Sequence, residues 1–284
     1  MKPAKSARHP APQLQPDKQR SRHAPRDVAV LIPAYQPTVA LEELVDGLVY
    51  AGVPAILLVD DGSSSAHRSL FDRLALEPQV HLLRHAGNQG KGAALKTGIR
   101  YFLDHLAHWK GLVTAGADGQ HAAADVVRLA RALHQSPRRA VLGARSFRLA
   151  PHPGLSLASV LGNRLAAALF SAVTRISLSD AQSGLRALPA TLLPRLLDLP
   201  GSGHEYEMSA LLYIARTLHP LAEQPIRTLG RVGTPESHFR PLADWLRLLR
   251  ALLSRPAYAP LEPVSRPRPE PEFNPIAAAA LRAK

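Results

Sequence analysis

The 284-residue chain has no cysteine, only 5% aromatic residues and no uninterrupted apolar run long enough to span a bilayer. Without Cys, disulfide scaffolds, thiolate zinc sites and cysteine nucleophiles are excluded. The roughly 18–20 uncharged apolar residues of a spanning helix are approached only at 155–176, where Asn163 and Arg164 break the run. That segment reads as a buried or half-buried helix, with membrane contact as the alternative. Acidic residues are scarce as well: 22 Asp+Glu face 35 Lys+Arg, a net charge of +13. A surplus of that size suits nucleic acid or an anionic membrane, but much of it is terminal. Residues 1–27 hold seven Lys/Arg against two Asp, and residues 254–284 hold five against three, leaving +6 over residues 28–253. The folded part shows no basic-aromatic stripe and no recognised nucleic-acid motif, so no nucleic-acid partner is expected.

The same two ends carry twelve of the 26 prolines. Residues 1–27 lack the apolar run of a secretory signal and read as a disordered, basic, Pro-rich arm. Residues 254–284 read as a Pro-rich disordered tail, and 28–253 as the folded domain; 46% hydrophobic content supplies its core. Within it, apolar runs at 28–33, 55–61, 80–84, 111–117 and 140–144 alternate with helix-period stretches near 38–50, 66–75, 90–108 and 122–135. This alternation predicts an α/β fold with a mostly parallel sheet flanked by helices. In such sheets ligands bind beyond the carboxyl ends of the strands. Polar chemistry does follow those ends: Tyr35 after the first, Asp60-Asp61-Gly62-Ser63 after the second, Asp118-Gly119-Gln120-His121 after the fourth.

Adjacent carboxylates at 60 and 61 are costly if buried without donors. They suit base N–H groups, ribose hydroxyls or a metal, or else they and the following serines cap the next helix. Gln89-Gly90-Lys91-Gly92 opens the third helix, where glycines, a lysine and a helix N-terminus suit an anion. The spacing is not that of a P-loop, and ordinary capping with close packing is the other reading. Asp118 and Gln120 offer oxygen ligands to a hard cation such as Mg2+ or Mn2+, completed by substrate phosphates. His121 reads as a turn or helix-start residue.

Taken in order, IPAYQ (32–36), LLVDDGS (57–63), NQGKGAALKTGI (88–99), ADGQH (117–121), VLGAR (141–145), DAQSGLRALP (180–189), GHEYEMSALL (203–212), QPIRT (224–228) and SHFRPLADWLRL (237–248) resemble family 2 glycosyltransferases. The likeness is to the branch of dolichol-phosphate mannose synthases and bacterial polyprenyl-phosphate glycosyltransferases. It implies a GT-A type fold and an inverting transfer of a hexose from a nucleotide-diphospho-sugar to a polyprenyl-phosphate-type acceptor. The resemblance assigns Pro33, Ala34, Tyr35, Asp60, Asp61, Lys91 and Asp118 to the nucleotide-sugar, and Asp118 and Gln120 to Mg2+ or Mn2+. It puts Arg145, Ser159 and Arg186 on the acceptor side, with Asp180 and Arg186 at the reacting centre. Asp180 would be an orienter for a phosphate acceptor, or a base for a hydroxyl one.

Two positions depart from the family pattern. Gly116 stands where the metal-binding turn usually has its first aspartate, and Leu229 where tyrosine is common. The first departure opens a second reading, a nucleotide-sugar-binding scaffold with impaired catalysis. The expected location is cytoplasmic, peripheral at the inner face of the plasma membrane, since no transmembrane tail follows Leu253. In 241–253, Leu242, Trp245, Leu246, Leu249, Leu252 and Leu253 share one helical face. That face suits packing on the domain or an anionic lipid interface, where the basic tails would assist.

Overall fold

Strands that are apolar throughout must be covered on both faces, and the computed structural model has helices on each. It describes residues 9–10, 23–145, 157–217 and 219–227, with side chains described from 162 onward in the helix that begins at 157. Ser159 therefore has a described backbone only. Most of the arm before residue 23, Leu229, the 237–248 and 241–253 segments and the tail from 254 lie outside the described residues.

The central sheet starts with β2 (Val28–Ala34), β3 (Ile56–Asp60), β4 (Val80–Arg84) and β5 (Gly111–Thr114), all parallel. Between them run α1 (Val39–Tyr50), α2 (Arg68–Leu74, entered through a 3-10 turn at Ser65–His67) and α3 (Lys91–His105). After α4 (Ala123–Gln135) come β6 (Ala140–Arg145), α5 (Leu157–Thr174), β8 (Arg186–Pro189), α6 (Leu193–Leu197), α7 (Glu205–Arg216) and β9 (Leu221–Ile226). Two short strands, β1 (His9–Pro10) and β7 (Ile176–Ser177), pair in parallel apart from this sheet. The order across the main sheet is β4-β3-β2-β5-β8-β6-β9. Only β8 runs antiparallel, wedged between β5 and β6, while β9 is parallel to β6.

The strand period of two sorts side chains into two cores. Along β2, Ala29 and Leu31 point into a core with Ile99, Phe102, Leu193 and Leu211. Val28, Val30 and Ile32 point into the other, with Leu41, Leu44, Phe71 and Val126. The run 111–117 stops pairing at Thr114, so Ala115 to Ala117 become the loop that carries Asp118. The domain's contacts begin before Val28: the Asp27 carboxylate reaches Lys110 Nζ at 3.0 Å and His134 Nδ1 at 2.6 Å.

Close approach of α3 to β2 depends on Gly98, where an added Cβ would sit 2.1 Å from Leu31 Cδ1. Alanine gains about 1 kcal/mol in helix propensity, but overpacking costs about 1–3 kcal/mol. Gly98→Ala should therefore lower stability in urea unfolding, and adding Leu31→Val, which shortens the opposing side chain, should recover part of the loss.

Candidate active site

Register brings the strand ends to one edge. Ala34 pairs with Asp60 and Asp60 with Arg84, while Thr114 pairs with Arg186 and Arg186 with Leu142. Pro33 and Ala34 are buried in β2, and Tyr35 emerges at its end, 36% exposed. The following Gln36 takes a left-handed φ of 50° and donates its N–H to Ser63 Oγ at 3.0 Å. This fastens the end of β2 to the loop after β3.

Asp60 and Asp61 are both buried but do different things. Asp60 Oδ1 accepts from Ser63 N at 2.8 Å, closing its own turn. Asp61 reaches away from its strand: Oδ1 accepts from Gln89 N at 3.0 Å, and Oδ2 from Gly90 N at 2.8 Å. Its Oδ1 also meets His85 Nδ1 at 2.7 Å, and His85 Nε2 continues to Thr97 Oγ1 at 2.9 Å. The anion at the N-terminus of α3 is thus the protein's own carboxylate, a favourable place for one. Gly62, at φ +74°, lets this loop lie on the backbone of the next; an added Cβ would be 2.2 Å from the Gly87 carbonyl carbon.

At the first residue of α3, Lys91 Nζ pairs with Glu207 Oε2 of α7 at 2.7 Å. Burial alone would raise the Glu207 carboxyl, but Lys91 and Arg186 hold it below its usual range. Arg186 is buried beneath, giving Nε to Ser183 O at 2.9 Å and Nη1 to Glu207 O. Beside them Thr114 Oγ1 donates to Gly184 O at 2.8 Å.

The 115–121 loop holds Asp118 and Gln120 half-buried, with Gln120 N 3.3 Å from Asp118 Oδ1. Gly116 N donates to His121 Nδ1 at 2.8 Å, so that nitrogen uses its lone pair on the loop. Burial pushes the His121 imidazole down to about 4; Asp118 opposes this, while Lys91 and Arg145 add to it. An added Cβ at Gly116 would lie 3.1 Å from Asp118 Oδ1. Across the site, Asp180 is 0% exposed and grips Arg145 at two points, Nε–Oδ2 2.7 Å and Nη2–Oδ1 3.1 Å. Arg145 N and Gln182 N also donate to it, at 3.2 Å each. Burial disfavours the Arg145 charge, yet Asp180 holds it above its usual range, with Asp118 and Glu207 in electrostatic reach.

The Glycosyl transferase family 2 model matches residues 29–159. Over those residues the chain carries a family 2 glycosyltransferase domain. It is 26% identical to the UDP-N-acetylglucosamine–dolichyl-phosphate N-acetylglucosaminyltransferase of Methanococcus voltae, over 71% of this chain and 85% of that one. It is 28% identical to the undecaprenyl-phosphate mannosyltransferase of Micrococcus luteus, over 72% and 84%. The fold matches the crystal structure of Mycobacterium tuberculosis glucosyl-3-phosphoglycerate synthase with a TM-score of 0.61, 16% identity and 86% coverage of each chain. The GT-A expectation holds.

At this edge of the sheet, Lys91, Asp118, His121, Arg145 and Glu207 fall into one electrostatic cluster. Asp180 reaches it through Arg145, and Asp61 through the start of α3. Arg186 underlies the cluster on backbone carbonyls. Among the described residues no three His, Cys, Asp or Glu converge as a metal cage. His85, Glu207 and Glu223 are functional candidates that the motifs did not single out. Each carried a signal: His85 follows a strand end, and Glu207 and Glu223 are acids inside mostly apolar segments.

Lys91 and Glu207 are 27% and 12% exposed at the side chain, so breaking the pair leaves a poorly solvated charge. Lys91→Met should cost about 2–3 kcal/mol in denaturant unfolding, below the figure for a fully buried pair. Lys91→Met with Glu207→Gln should recover most of that.

Proposed function

We propose that the domain transfers a hexose, with inversion, from a nucleotide-diphospho-sugar to a polyprenyl-phosphate-type acceptor at the cytoplasmic membrane face. The carrying observation is that two cations, Lys91 and Arg145, and the Asp118 carboxylate all stand within electrostatic reach of His121 at the carboxyl edge of the sheet, with Arg145 also in reach of Asp118 itself. A donor diphosphate and an acceptor phosphate both need cations there. The lipid-phosphate acceptors in the names of the M. voltae and M. luteus relatives support the acceptor class. Pro33, Ala34, Tyr35, Asp60, Asp61 and Lys91 make the nucleotide side in this reading. Arg145, Ser159 and Arg186 make the acceptor side. A phosphate oxygen is already anionic and needs little general base, which fits an Asp180 whose carboxylate is occupied by Arg145.

A divalent ion fits the donor set on one condition. Asp118 and Gln120 offer few protein ligands, as suits Mg2+ or Mn2+ bound largely through substrate phosphates. The fold relative from M. tuberculosis was crystallised with Mn2+ and uridine diphosphate, or with Mg2+ and uridine diphosphate. Bound there, such an ion would offset charge on the departing nucleoside diphosphate.

Among the described residues no helix is long and apolar enough to cross a membrane. Peripheral contact is supported by α5, which exposes Leu165 (51%) and Val173 (39%) with Ala168 and Ala172 on the same side and Arg164 and Arg175 nearby. The second reading, a donor-binding scaffold, is favoured by Gly116 alone.

Calorimetry with UDP- and GDP-sugars plus Mn2+, followed by transfer to a short polyprenyl phosphate, separates the two. Turnover that falls about a hundredfold in Asp118→Asn supports the enzyme. Heat of binding with no turnover from any donor supports the scaffold, and neither heat nor turnover overturns both. Because a Cβ at 116 would crowd Asp118, Gly116→Asp should weaken the metal-free domain by like-charge repulsion. With Mn2+ present it should raise donor affinity, roughly tenfold, by adding a second charged ligand.

A further inference from the structure

We propose that Glu223 is a positioning residue that sets the Arg145–Asp180 pair for the anionic acceptor, an inference that rests on the acceptor-side reading above. Glu223 sits in the middle of β9 and is 3% exposed, a carboxyl in an otherwise mostly apolar strand. Its Oε1 accepts three hydrogen bonds, from Ser179 N at 2.8 Å, Ser179 Oγ at 3.0 Å and Asp180 N at 3.3 Å. From the other side Asn163 Nδ2 of α5 donates to Ser179 O at 3.1 Å. Both polar ends of Ser179 and the N–H of Asp180 are therefore fixed before the Asp180 carboxylate meets Arg145.

The circuit closes through the sheet. β6 and β9 pair Leu142 with Glu223 and Arg145 with Ile226. The strand pair that carries the Arg145 backbone thus also carries the acid that anchors its carboxylate partner. Arg145, Asp180 and Glu223 form a ring of contacts in which no member can shift alone. Misplacing such a group by about 1 Å can cost a hundredfold in rate, which makes the anchor a functional element and not only a packing one. Burial and the nearby Asp180 raise the Glu223 carboxyl, against the Ser179 hydrogen bonds. A neutral side chain with an acceptor oxygen should therefore replace it well.

The full-length chain is assayed with its donor and a short polyprenyl phosphate, measuring kcat and both KM values. Glu223→Leu should raise the acceptor KM at least about tenfold and leave the donor KM within about twofold, while Glu223→Gln restores most of the loss. Combined with Asp180→Asn, Glu223→Leu should add little, because both act through one pair. An unchanged acceptor KM, equal rises in both KM values, or additive losses would overturn the inference. If Glu223→Leu does not fold, Ser179→Ala removes one of the three bonds and should give about a threefold rise in acceptor KM; no rise overturns it. Solvent exchange of the Arg145 Nε–H, followed by NMR, reads the positioning without turnover. Protection in wild type and Glu223→Gln that is lost in Glu223→Leu supports the inference even if no transfer is found, an outcome that would count against the acceptor reading alone. Equal protection in all three overturns it.

Discussion

The Asp61 carboxylate is the constraint on which the β3–α3 half of the site depends. It leaves the end of β3 and takes two backbone N–H groups at the start of α3, with His85 held alongside. Two loops that are about thirty residues apart in sequence thereby become one surface. Lys91 follows immediately, so the direction of its side chain is inherited from that clamp, and its ion pair with Glu207 carries the constraint on to α7. Gly62 and Gly90 take positive φ values where the loops touch, which keeps the clamp short.

The sequence pattern exposed the architecture well because strand and helix periods leave different marks. Five apolar runs separated by helix-period stretches admit few arrangements other than a covered parallel sheet. It was less informative about β8: RALP is too short and too ordinary to announce an antiparallel strand between β5 and β6, and only its partners make it one. Likewise the run at 111–117 looks apolar throughout, but strand pairing ends at Thr114, opposite Leu31, while β2 runs on to Ala34 beside β3.

For the site, the motifs mark residues that gather at one sheet edge, but the partners of each side chain are not legible in them. Asp61 looks like a ligand-binding carboxylate in sequence, whereas its two oxygens are engaged in holding α3. Arg186 is given to the acceptor side by the family resemblance, and its guanidinium lies buried against carbonyls. His121 looks like a turn residue, and its ring supports the position where the family aspartate is missing. Such assignments turn on which partner lies within hydrogen-bonding distance, and those partners come from distant segments such as 179–180 and 223.

The antiparallel wedge has a consequence for how the domain is made. β2 to β5 can pair as soon as the chain to Thr114 exists, giving an amino-terminal half with apolar side chains on both faces of its sheet. β6 cannot join that sheet directly; it waits for β8, which holds it by only two register pairs, and then for β9. Long-range pairing of this kind is slow. During synthesis the amino-terminal half would emerge first, with the β5 edge open until residue 189 has been added. The half built on β6, β8 and β9 is thus the late-closing part of the molecule, and an edge strand left open is where misassembly would begin.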